Sequence, residues 1–140
     1  MTIVRGILAI VLGLVVGSVV NMGIILLGSK LIPPPPGVDV SDAESIAASM
    51  HLFEPRHFVT PFLAHATGTF AGALVAFLLA ARAKPLFAYV IGALFLMGGV
   101  AAATMIPAPA WFIGLDLIAA YVPMAWLATV VGARLSGRGG

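Results

Sequence analysis

Gly6 to Gly28 reads GILAIVLGLVVGSVVNMGIILLG, an apolar run without a charged side chain. At 1.5 Å per residue it covers a hydrocarbon core of roughly 30 Å as one helix. Three further long apolar runs follow, about Phe58–Ala81, Leu86–Ile106 and Trp111–Ala133. The runs are continuous rather than alternating, and a membrane barrel needs at least about eight strands. The expected fold is therefore an all-α membrane protein, an up-down four-transmembrane-helix bundle forming one domain over residues 1–140.

Composition agrees. Hydrophobic residues make up 61% of the chain and charged residues 9%, and the mean hydropathy is +1.15. So few charges would leave a soluble surface poorly solvated. Cysteine is absent, which excludes thiol catalysis, disulfides and cysteine-bound metals. Met1–Arg5 followed by an apolar run has the outline of a secretory signal. However, the run is a full span long, and Lys30 leads straight into prolines rather than an A-x-A-like site, so an uncleaved first helix is expected.

The cations set an orientation. Arg5, Arg82, Lys84, Arg134 and Arg138 flank one side of the spans, and Lys30 and Arg56 the other. By the positive-inside rule both termini and the Arg82–Lys84 turn are cytoplasmic. The segment 29–57 then lies outside with Asp39, Asp42, Glu44 and Glu54. Trp111 and Tyr89 fall where interfacial aromatics sit.

The outer loop opens with Pro33–Pro36, which predicts a stiff spacer of about 12 Å at 3.1 Å per residue. Ser41-Asp42-Ala43-Glu44 matches a capping box, and Ile46, Met50 and Phe53 recur at helical spacing. A short amphipathic helix on the outer surface, or capping the bundle, is expected. His51, Glu54 and His57 recur every three residues and have zinc-ligand chemistry. Yet H-E-x-x-H is absent and Pro55 breaks the register, so a solvated loop is the simpler reading and no metal site is assigned.

Small residues mark packing faces: Gly13, Gly17 and Asn21 on the first helix, His65, Gly68, Thr69 and Gly72 on the second, Gly98 and Gly99 on the third. The first stripe is also a candidate face for a homodimer. The sharpest functional features are His65 and Asp116, ionisable groups roughly 8–10 Å below the outer ends of their spans at 1.5 Å per residue. A carboxylate in lipid costs about 2.5–3.5 kcal/mol on insertion scales unless paired, protonated or hydrated. Asn21 lies at similar depth, Thr104 nearer the surface and Tyr121 deeper. Pro123 predicts a bend in the fourth helix. Two readings stay open for His65, Asp116, Asn21, Thr104 and Tyr121: a ligand or proton site, or interhelical hydrogen bonds that lock the bundle. The halves also echo each other, Ala9–Gly13 against Ala88–Gly92, the pattern of a parallel repeat.

Asp42-Ala43-Glu44-Ser45-Ile46, Met50-His51, Pro61-Phe62-Leu63-Ala64-His65 and Gly68-Thr69 resemble small bacterial four-span membrane proteins without an assigned activity. So do Pro107-Ala108-Pro109-Ala110-Trp111-Phe112, Asp116-Leu117 and Tyr121-Val122-Pro123. The resemblance spans most of the chain and implies a multi-pass protein of the bacterial inner membrane. It carries over no catalytic residue.

No P-loop, dinucleotide fingerprint or nucleic-acid module appears, and no cofactor is expected. A carrier or channel for a small polar solute, ion or protons is the first functional expectation. A structural or accessory subunit of a larger membrane complex is the second. An intramembrane enzyme ranks last, since no nucleophile–base pair is evident.

Overall fold

The computed structural model describes residues 2–137, so Arg138, one of the cations on which the orientation rests, lies outside them. All the regular structure in this range is helical. Helix α1 spans Thr2–Leu31, α2 Ala43–Ala48, α3 Val59–Leu79, α4 Lys84–Met105, α5 Ala110–Ala119 and α6 Val122–Gly137. Taking α5 and α6 together, and α3 with the turn before it, four helical segments are long and apolar enough to cross a membrane.

Helix α3 is the centre of the assembly and touches α1, α4 and α6. Its composition explains why. Ala64, Ala66, Gly68, Thr69, Gly72, Ala73 and Ala76 are all buried, so three neighbours can approach its axis on different sides. Along α1 the Gly13 backbone faces Gly72 and that of Gly17 faces Gly68. A Cβ added at Gly17 would meet the Gly68 carbonyl oxygen at 2.8 Å, and one at Gly72 the Gly13 oxygen at 2.5 Å. This contact consumes the glycine stripe of α1, so that face is not available to a second copy. What α1 exposes instead is aliphatic: Val11, Val15, Val19 and Leu26.

The other glycines divide. Gly92 receives the Ala125 methyl, Gly132 the Phe77 ring and Gly99 the Tyr121 ring. Gly98 is exposed and its Cβ position meets nothing within 4 Å, so its expected packing role is not seen. Ala73, Ala76, Phe77, Ala88, Ile91, Ala125 and Ala128 close the half of the bundle near the termini into an apolar core. At that end Arg5 Nε donates to the Leu79 carbonyl oxygen (2.6 Å), satisfying a free carbonyl at the α3 terminus. Lys84 lies over the Phe77 ring, 5.8 Å from its centroid.

Two expectations need correction. The fourth span is not one helix: it stops at Ala119 and restarts at Val122. Pro123 has no N–H for the carbonyl four residues back and its ring crowds the preceding turn. Nor does the proline run form a four-residue spacer. Val38 N–H donates to Pro35 O (3.2 Å) and Gly37 has φ +85°, the Pro-then-Gly arrangement of a type II turn. The chain therefore folds back over the bundle end.

The loop helix begins one residue later than a Ser41 cap implies. Asp42 is the N-cap, accepting from Glu44 and Ser45 N–H, while Ser41 turns to Asp39. The apolar stripe Ile46–Met50–Phe53 is carried by α2 and a following 3₁₀ turn, Met50–Leu52, rather than by one helix.

Candidate functional site

His65 sits two turns into α3 and Asp116 in the last turns of α5. Their side chains meet. Nδ1 of His65 lies 2.9 Å from Oδ1 and 3.0 Å from Oδ2 of Asp116. The Tyr121 hydroxyl donates to Oδ2 (3.0 Å), and its ring stacks on the His65 ring with centroids 5.9 Å apart. Asp116 is 5% exposed and Tyr121 2%. The carboxylate is thus held by two donors, which reduces the cost of placing it away from water.

The helix break makes this possible. Positions 116 and 121 are five residues apart, which on a straight helix points them about 140° apart at 100° per residue. The interruption at Ala120–Tyr121 turns the Tyr121 side chain back towards Asp116. Gly99 supplies the space on α4: a Cβ there would meet the Tyr121 hydroxyl at 2.5 Å.

Above the pair lies a cavity of about 210 Å³. Its walls include Ile25 of α1, Ala102 and Ala103 of α4, Ile106 just past the α4 end, and Phe112 of α5, with His65 and Asp116 also lining it. The segment between α1 and α3 contributes Val40, Ile46, Met50 and Phe53. The helical recurrence of these last three therefore has a use, facing the hollow between the spans. Phe58 joins Phe53 and Phe112 in an aromatic cluster, with centroids 5.9 and 4.7 Å from the Phe58 ring.

The remaining sequence candidates lie elsewhere. Thr104 is exposed and its hydroxyl donates to Ala101 O of its own helix (2.6 Å); depth placed it near the others, but its helix face did not. Asn21 packs its Cβ against Gly68, and its Oδ1 is buried with no hydrogen-bond partner among the described residues. Thr69 Oγ1 is in the same condition. Tyr121 stands behind Asp116 rather than in the cavity wall.

Among the described residues no group of three His, Asp or Glu side chains is placed to hold a metal. The His51, Glu54, His57 spacing has another origin. His57 Nδ1 accepts from Glu54 N–H (2.8 Å), and with the Glu54 side chain it forms a reciprocal cap on the 3₁₀ turn Pro55–Phe58. Glu54 Oε2 also pairs with Arg56 (2.9 Å). Histidine in place of the usual Glu or Gln at the third position hides this cap from pattern reading.

Comparisons with protein families, with curated proteins and with solved structures find no match to this chain.

Proposed function

We propose that this chain is a multi-pass protein of a bacterial inner membrane that binds a small solute in its outer half and passes it to or through the membrane. The four spans cross up-down, with both termini and the Arg82–Lys84 turn cytoplasmic, and α2 with its neighbouring turn caps the outer end. One observation carries the reading: a cavity of about 210 Å³ is walled by helices of all four spans and roofed by the outer loop, with a paired His65–Asp116 at its polar end. Ionisable residues inside a membrane are costly and mark ligand or proton sites by default. A broken spanning helix beside them is a feature of transport sites. Four spans are few for a complete pathway, so the working unit is a homodimer formed through a face other than the α1 glycine stripe.

A second reading, an accessory subunit locked by the same trio, draws support from Asp116 having its donors within the protein and from the apolar core beneath. A structure in lipid at a resolution that reveals water separates them. Solvent or ligand density against His65 supports binding. A collapsed, dry cavity with the pair intact favours the accessory role and sinks the solute site.

A further inference from the structure

We propose that the solute is a lipophilic amine, an apolar body of about one ring carrying a basic nitrogen that bonds to His65 Nε2. The inference rests on the solute-binding reading above and names its ligand class. The argument is one of access and charge. Both oxygens of Asp116 already accept, from His65 Nδ1 and from the Tyr121 hydroxyl, and the residue is 5% exposed. Its lone pairs are not exhausted, but burial leaves a ligand little of its surface to reach. His65 is the member of the trio with surface to offer, its side chain 25% exposed, and it lines the cavity. With Nδ1–H directed at the carboxylate, the free nitrogen is Nε2, an acceptor in the neutral ring and a donor in the charged one.

The charge balance then selects the ligand. A neutral imidazole beside ionised Asp116 leaves one net negative charge in a medium where isolated charge is expensive. Among the described residues no lysine or arginine lines the cavity; besides this pair the titratable side chain there is His57, whose Nδ1 is occupied by Glu54 N–H. An amine arriving with its proton makes the whole neutral, wherever between ligand nitrogen and Nε2 that proton rests. A carboxylate ligand would set two anions against one imidazole. The walls fit the rest of such a molecule. An apolar cavity of roughly 150 Å³ accepts benzene, so about 210 Å³ takes one ring and a short arm. Phe53, Phe58 and Phe112 line the cavity and supply aromatic surface for the ring of the ligand.

The test uses the full chain in lipid nanodiscs, with empty nanodiscs as blank, titrated with four single-ring probes: benzylamine, benzyl alcohol, toluene and benzoate. Benzylamine should bind at least tenfold more tightly than benzyl alcohol, with benzoate weakest. In Asp116→Asn and in His65→Gln the amine should lose at least tenfold, so that its advantage over the alcohol disappears. Amine and alcohol binding equally to the wild type, or benzoate binding best, overturns the amine assignment while leaving a cavity that binds solutes. Exclusion of all four overturns the solute-binding reading with it. The wild-type ranking alone decides the matter should either variant fail to fold.

Discussion

A buried carboxylate is stable only in company, and Asp116 has two partners of different kinds. The Tyr121 hydroxyl is a neutral donor, so Tyr121→Phe removes one hydrogen bond and keeps the ring between Gly99 and His65. The expected cost is about 1 kcal/mol, in the range of interhelical hydrogen bonds in bilayers. His65→Ala removes the ring nitrogen that lies within hydrogen-bond distance of both carboxylate oxygens and should cost roughly 3 kcal/mol or more, the consequence of orphaning a buried ion. Asp116→Asn made on top of His65→Ala should then recover much of that loss. A double-mutant cycle on reversible unfolding in bicelles measures all three; additive losses would mean that the pair is not coupled. In the loop, hydrogen bonds from the Ser41 hydroxyl and then its N–H hold the Asp39 carboxyl below its ordinary value. Because the folded value is depressed, this contribution is present above the unfolded value and is lost as pH falls through the folded one. Ser41→Ala should raise the Asp39 titration midpoint, read by carboxyl-carbon NMR. At this scale sequence reading finds polar residues in apolar runs and their depth. It does not find their azimuth, which is why His65, Asp116 and Thr104 look alike as a sequence and only the first two meet.

Between elements, backbone proximity decides. The α1–α3 contact places carbonyl oxygens where side chains would begin, so Gly17→Ala forces the helices apart and should cost about 1–3 kcal/mol, as overpacking does. Gly98→Ala meets open space and should leave unfolding within about 0.5 kcal/mol, as surface changes do. Reversal of that order would show that the α1–α3 approach is not close. The stripe Gly13–Gly17–Asn21 is legible because spacing of four repeats on one helix face. Gly92 and Gly132 escape notice because each is a lone glycine whose partner, Ala125 or Phe77, lies far along the chain. The fourth span shows the limit from the other side. Pro123 announces a disturbance, but not that the helix would stop for two residues and aim Tyr121 at Asp116. Pro123→Ala should lengthen the helix through Ala120–Tyr121 and weaken that hydrogen bond.

The whole molecule is asymmetric from end to end: an apolar alanine-rich core at the end with Arg5 and Lys84, a cavity and a capped loop at the other. Hydropathy carries the four spans unaided, because twenty apolar residues in a row have few alternatives. The cavity is invisible to it, since it arises where a loop folded back at Gly37 meets helix ends that do not pack tightly. The orientation proposed above rests on the charge distribution alone, and with it the side from which a solute would reach His65. The absence of cysteine gives a clean assay. Ser41→Cys in the loop and Ser136→Cys in the last turn of α6, beyond Arg134, each introduce a single thiol at opposite ends of the bundle. In intact cells a membrane-impermeant maleimide should label Ser41→Cys fully and Ser136→Cys only after lysis. Labelling of Ser136→Cys before lysis, with Ser41→Cys protected, would invert the orientation and place the cavity on the cytoplasmic face, making any solute it binds a cytoplasmic one.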